Sequence, residues 1–193
     1  MHALPPAPAV TPRRQVFVGT AIACAAVTAL MGGLFAVFIR HREDGVNASP
    51  RNWLPDGVSV PGVATNTMLI ALLPICLFAQ WAVYSAKRHD RPHAGLALGL
   101  TGLLGLAFIN AQAYVWGQMG VPANQGVYST LFYTVTGAGF VLAIIGVVFS
   151  GVTAFRFLGG RTTDREVVSA HAMYWYTFSA VFSVLWFVVY VTK

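Results

Sequence analysis

The chain has 193 residues, 56% of them hydrophobic and only 9% charged, with a mean hydropathy of +0.65. A soluble domain carries roughly a quarter charged residues, so this composition excludes a water-covered globule, a secreted domain and a soluble enzyme, and calls for an integral membrane protein. The 12 Lys and Arg against 6 Asp and Glu leave a net charge of +6, which in a bilayer reports topology and contact with anionic lipid rather than nucleic acid.

Residues 1–15, rich in Pro and Ala, read as an N-terminal cytoplasmic tail ahead of a membrane domain over 16–193. A helix that crosses the hydrocarbon needs about 20 apolar residues. The first such run, 16–39, is uncharged and ends in Arg40-His41-Arg42. It exceeds the roughly 7–15 residues of a signal-peptide core and has no small-residue cleavage site behind it. A second uncharged run covers 62–86. From Pro92 to Phe155 there is no Asp, Glu, Lys or Arg at all, which is room for two crossings. Gly117, Gly120, Pro122, Asn124, Gln125 and Gly126 divide that stretch by turn chemistry, giving spans near 94–116 and 129–154. The fifth runs over 167–191. The expected fold is all-α, a bundle of five transmembrane helices.

Basic residues orient the bundle. Arg13, Arg14, Lys87, Arg88, Arg91, Arg156, Arg161 and Arg165 fall on one side, and Arg40, Arg42, Arg51 and Lys193 on the other. By the positive-inside rule the N-terminus is cytoplasmic and the C-terminus outside. Arg13, Arg14, Lys87 and Arg91 are candidate contacts for lipid headgroups. Tyr114, Trp116 and Tyr190, near span ends, suit the headgroup zone.

No span holds an Asp, Glu, Lys or Arg in its middle, so an ion or proton pathway made by this chain alone has no charged groups to work with. Of the five histidines, His2, His41, His89 and His93 lie in the tail and loops, and His171 opens the last span. His171 reads as interfacial or hydrogen-bonded. Within the spans there is no histidine pair at i and i+4, and there is no Cys-x-x-Cys-His anywhere, so the spans carry no haem or copper ligand set. Cys24 and Cys76 both sit in apolar runs, which supports neither a disulfide framework nor a zinc site. Nucleophile, P-loop and dinucleotide motifs are absent. Catalytic, cofactor-binding and metal residues are therefore none. Polar residues do enter the spans: Gln80, Asn110, Gln112, Thr134, Thr136, Tyr176, Thr177 and Ser179. Such groups ordinarily hydrogen-bond between helices. Gly95, Gly99 and Gly102 in the third span, and Gly137, Gly139 and Gly146 in the fourth, are candidate helix-packing residues, because glycine lets backbones approach closely where lipid supplies no hydrophobic drive. Gly32-Gly33 belong to the same class.

The order of several short motifs resembles subunit III of the haem-copper oxidases in its short, five-helix form. Tyr128-Ser129-Thr130-Leu131-Phe132-Tyr133-Thr134-Val135-Thr136-Gly137 resembles the entry to a late helix of that family. Tyr174-Trp175 is similar to its Tyr-Trp-His-Phe-x-Asp, and Gln112-Ala113-Tyr114 to its Gln-x-x-Glu-Tyr/Trp segment. Asn66-Thr67, Asn52-Trp53-Leu54-Pro55, Val18-Gly19-Thr20 and Gly33-Leu34-Phe35-Ala36 follow the family's order as well. The departures share one direction. The family's intramembrane glutamate falls on Val27, its two late histidines on Gly139 and Leu142, the His and Asp of its last motif on Tyr176 and Ser179, and its glutamate after the Gln motif on Val115.

The resemblance implies an accessory, non-redox subunit in the respiratory chain of aerobic electron transport, in the cell membrane of a bacterium. Such a subunit holds lipid and steadies catalytic oxidase subunit I beside the other oxidase subunits. Haem and copper belong to that partner, and none is bound by this chain. The enzyme it serves is a cytochrome c or quinol oxidase, an oxidoreductase coupled to proton translocation. An accessory subunit of a nitric oxide reductase, an oxidase assembly factor and a small-solute channel or transporter stand as alternatives.

Overall fold

The computed structural model describes residues 14–48, 53–55, 57–122, 126–160 and 165–192. Within them five helices are long and apolar enough to cross a membrane: α1 (Gln15–Asn47), α2 (Gly62–Lys87), α3 (Arg91–Met119), α4 (Gly126–Leu158) and α5 (Arg165–Leu185), the last running on into a π-helical turn, Trp186–Val191. No strand occurs among the described residues. The protein is an all-α integral membrane bundle.

Local chemistry sets the helix ends. Asp90 caps α3, its carboxylate accepting from the His93 backbone N–H at 3.3 Å and lying 2.7 Å from the His93 ring Nδ1. Pro92 follows in the first turn, where a missing N–H costs nothing. Gly120 ends α3 in the left-handed region at φ 57°, donating its N–H to the Trp116 carbonyl, the common glycine stop. The first helix continues past the expected 16–39 to Asn47. Beyond the apolar run it is held by polar surface chemistry, including an i,i+4 pair between Arg40 and Asp44 at 3.3 Å.

The fifth helix is the centre of the bundle. It packs on α1, α2 and α4, while α3 lies between α2 and α4. Of its most apolar 18 residues 56% are buried, against 22–33% in the other four helices. A bundle this small buries only one stripe of each outer helix, which accounts for the low figures for those four. Ahead of α2, Trp53 lies against α1. Trp53 is buried edge-on against Phe38 and Tyr128, both centroids at 5.2 Å, and a Cβ on Gly45 would lie 3.1 Å from the Trp53 Cβ.

Candidate functional site: a neutral polar core and a basic rim

The centre of the packing is Trp175, fully buried on α5. Its indole occupies a notch made by two glycines on neighbouring helices. A Cβ on Gly105 of α3 would fall 2.8 Å from the Trp175 ring and 2.7 Å from Val147; one on Gly146 of α4 would fall 2.9 Å from Trp175 and 3.0 Å from Tyr174. The other glycines named from sequence divide by surroundings. Gly95 faces Leu158 at 2.7 Å, Gly139 faces Leu185 at 3.0 Å, and Gly102 stands in ordinary contact with Ser150 at 3.6 Å. A Cβ on Gly99 or Gly137 would meet nothing within 4 Å, and the same holds at Gly32 and Gly33. Gly105 was not singled out from sequence. Its signal is register: it shares a helical stripe with buried Leu98, Thr101, Phe108 and Gln112, whereas Gly99 lies on the exposed side.

A polar node sits against the same indole. The Trp175 Nε1–H points at Ser150 Oγ (3.0 Å) and at His171 Nε2 (3.1 Å); Ser150 Oγ is 2.7 Å from His171 Nε2 and 2.9 Å from the Gly146 carbonyl. All three side chains are buried, and His171 Nδ1 has no partner. One proton assignment satisfies every donor. Ser150 donates to the Gly146 carbonyl and accepts from both Trp175 Nε1–H and a protonated His171 Nε2. What remains unpaired is then an acceptor lone pair on Nδ1, whereas the other tautomer strands a buried N–H, the costlier choice. His171 is thus hydrogen-bonded and interior rather than interfacial.

Nearer the other end of the bundle, Gln112 and Tyr190 pair inside the core: the amide Nε2 donates to the phenol oxygen at 3.0 Å, and the phenol donates to Oε1 at 3.2 Å. Tyr190 is only 4% exposed, so it is not the headgroup-zone residue its place near the chain end suggested. The π-helical turn over Trp186–Val191 accounts for this, since one wider turn moves Val188, Val189 and Tyr190 together onto the buried side. Trp116 is half-buried and donates to Thr136 Oγ1 at 3.0 Å, while Tyr114 is exposed.

The positions that depart from the family pattern occupy neutral surroundings. Val27 and Leu142, where the glutamate and one late histidine fall, line one small apolar space with Cys24, Tyr174, Thr177 and Phe178, a cavity of about 10 Å³. That is at the lower bound of the space one water needs. Tyr176 donates to Gln80 Oε1 at 2.7 Å, and Ser179 accepts from the Cys76 thiol at 3.2 Å. Val115 is fully buried. Neutral hydrogen bonds and apolar contacts occupy the sites of the missing charges. Among the described residues no group of three or more His, Cys, Asp or Glu is placed to hold a metal ion.

Charge gathers at one end. Arg14, Lys87, Arg88, Arg91, Arg156 and Arg165 all lie at the ends of α1–α5 that share this rim; Arg13 and Arg161 fall outside the described residues. Two carboxylates are held there locally. Glu166 Oε1 accepts the Phe17 backbone N–H at 2.8 Å, tying α5 to the start of α1, and Asp90 is engaged by His93. Those His93 hydrogen bonds hold the Asp90 carboxyl below its usual range. Arg88 stacks on Tyr84 at 4.4 Å, and Arg165 donates to the His89 ring.

The family model described as cytochrome c oxidase subunit III matches residues 21–193. The chain is 30% identical over 146 residues to cytochrome c oxidase subunit 3 of Rattus norvegicus, covering 72% of this chain and 54% of that one. It is 28% identical over 153 residues to a Rickettsia bellii (strain RML369-C) protein described as a probable cytochrome c oxidase subunit 3, covering 77% and 54%. With cytochrome c oxidase subunit 3 of Corynebacterium diphtheriae it shares 25% identity over 181 residues, 91% of this chain and 87% of that one. It therefore spans about half the length of the first two relatives and most of the third. Five membrane-crossing helices in this order, with a family match over nearly the whole chain, place the protein in the cytochrome c oxidase subunit III family.

Proposed function

We propose that this chain is an accessory, non-redox subunit of a haem-copper terminal oxidase, packed against the subunit that carries haem and copper and steadying it in the bilayer. The carrying observation is the family match over residues 21–193 on a core that holds neutral hydrogen-bonded clusters, Ser150–His171–Trp175 and Gln112–Tyr190. A rigid, uncharged bundle supplies shape and contact area to a neighbour and offers no route for ions of its own.

The reading extends to lipid and orientation. A groove of about 420 Å³ between α1 and α5 is lined by Thr28, Gly32, Phe35, Thr177, Ala180, Val181 and Val184. It is apolar and open at the side, which suits an acyl chain. The basic rim with Arg14, Lys87 and Arg91 suits the cytoplasmic leaflet, where anionic headgroups attract juxtamembrane Lys and Arg at about 1 kcal/mol each. Arg13 joins them in this reading. The N-terminus is then cytoplasmic and the C-terminus outside, in the plasma membrane.

The test is co-purification. Extracted in mild detergent through a tag on this chain, the protein is expected to bring haem absorbance and a large multi-span partner in fixed stoichiometry. A colourless product would overturn the reading. Transient association during assembly, with none in the mature complex, would replace it with an assembly role, and solute flux through liposomes holding this chain alone would replace it with a channel.

A further inference from the structure

Of Gln80, Asn110, Gln112, Thr134, Thr136, Tyr176, Thr177 and Ser179, seven have partners. Gln80 bonds Tyr176, Gln112 bonds Tyr190, and Ser179 accepts from Cys76. Thr134, Thr136 and Thr177 each donate to the carbonyl four residues earlier. Asn110 differs. Its side chain is exposed on α3 and makes no hydrogen bond with any other described residue. The helix has 29 residues, and Asn110 lies five past its midpoint, about 7.5 Å along the axis from the bilayer centre. The hydrocarbon reaches about 15 Å to each side of that centre, and an asparagine side chain is too short to reach headgroups from there. Facing lipid, the amide would keep two donors and a carbonyl without partners, a cost of the kind that lipid-facing surfaces avoid.

The surface around it fits another helix. Gly99, Leu103, Leu106, Asn110, Ala113 and Gly117 alternate steps of four and three along one exposed stripe, the spacing of a helix-packing seam. A Cβ on Gly99 or Gly117 would meet nothing within this chain, so the fold makes no use of these glycines, and they leave room for a close backbone. A repeat of threes and fours marks the outer face of any bundle helix. The unpaired amide is what separates this face from the exposed stripe of α4, where Val141, Ile144, Val148 and Val152 are wholly apolar and Thr134 is satisfied by its own helix.

We infer that the outer face of α3 is the docking seam for a transmembrane helix of the catalytic oxidase subunit, one that presents a hydroxyl or amide side chain at the depth of Asn110. This rests on the accessory-subunit reading above and adds the face through which it acts. Small residues allow the approach and the amide fixes depth and register.

The test uses the tagged full-length chain, extracted with its partners. Asn110→Leu is expected to lower co-purified haem per chain by about three- to fifteenfold, the span of one interhelical hydrogen bond in a membrane. Gly99→Leu is expected to lower it at least as far, by filling the seam. Val148→Phe on the exposed face of α4 should leave it unchanged. Because Gly99 and Asn110 are exposed, neither variant should unfold at a lower temperature than wild type, which separates lost docking from lost folding. Asn110→Cys should cross-link to the haem-bearing partner. Retained haem with Asn110→Leu and Gly99→Leu, while wild type brings haem, overturns the seam and leaves the accessory reading standing. A cross-link to a second copy of this chain overturns the assignment of the seam to the catalytic subunit. Absence of haem with wild type overturns both.

Discussion

Ser150 of α4 and His171 of α5 meet at 2.7 Å, oxygen to Nε2, within a fully buried site that also takes the indole N–H of Trp175. The contact closes the α4–α5 interface beside the Gly146 notch, so the packing and the polar satisfaction of the bundle centre depend on each other. With the serine proton on the Gly146 carbonyl, the histidine must be the Nε2–H tautomer. Nitrogen NMR of the labelled chain should show that tautomer, and an Nδ1–H signal would refute the assignment. In Ser150→Ala the indole is left with only His171 Nε2 as acceptor, at 3.1 Å. The ring should therefore switch to Nδ1–H, stranding one donor in the interior at a cost of about 1–3 kcal/mol. Unfolding in detergent measures the cost, and the NMR signal reports the switch.

Glycine substitutions should sort by surroundings rather than by helix. Gly105→Ala and Gly146→Ala drive a methyl against Trp175 at 2.8 and 2.9 Å, and overpacking of this kind costs about 1–3 kcal/mol. Gly137→Ala meets open space and gains helix propensity instead, up to about 1 kcal/mol in the aqueous scale. Thermal unfolding of the three variants checks the signs. Equal destabilisation at all three positions would mean that the Trp175 notch is not what constrains glycine.

That sorting shows what the sequence does and does not carry. Five helices are legible because uncharged runs of sufficient length are a one-dimensional signal, and Asp90 and Gly120 mark the two ends of α3 by local chemistry. The helix bounds differ from the spans where water-facing turns continue, as at Arg40–Asp44. Contacts between helices are another matter. Gly99 and Gly105 look alike along the chain, and what separates them is an indole 70 positions beyond Gly105 in sequence. The partner of His171 stands 21 residues earlier, on a different helix. The inward turn of Tyr190 depends on a π-helical turn that no cap or proline announces. Family resemblance located Val27 and Leu142 as departures; only the fold places both on one small cavity.

The start of α3 should respond to acid. Hydrogen bonds from His93 favour the ionised Asp90 carboxylate and lower its pKa in the folded chain. A group with a lowered folded pKa stabilises above its unfolded pKa and loses that stabilisation as pH falls through the folded value. Local protection should therefore fall in acid and stay constant from neutral pH upward. Amide exchange at His93, followed below pH 5, is the measurement. Asp90→Asn keeps a capping oxygen and should abolish the pH dependence. Equal sensitivity in both proteins would show that the carboxylate is not its source.

Val27 and Leu142 supply the sharpest test of the neutral core. Both line a cavity of about 10 Å³ with apolar neighbours and the Tyr174 and Thr177 side chains, so Val27→Glu has neither room nor a cationic partner. The carboxyl must be buried unpaired, at a cost of about 3 kcal/mol or more if ionised, or else protonated. Leu142→His alone adds a polar ring to the same apolar space and should also destabilise. Together the two groups can pair, and the double variant should recover part of the loss as a coupling energy of about 0.5–3 kcal/mol. Unfolding in detergent gives the cycle, with additivity as the result that would deny contact between the two positions. On the accessory-subunit reading, Val27→Glu in reconstituted vesicles holding the co-purified complex should leave the ratio of protons moved to electrons passed unchanged, with the neutral interior as the competent form. A rise in that ratio would mean that a carboxylate at residue 27 takes part in proton movement, and that the uncharged core of this chain is a lost function rather than a sufficient design.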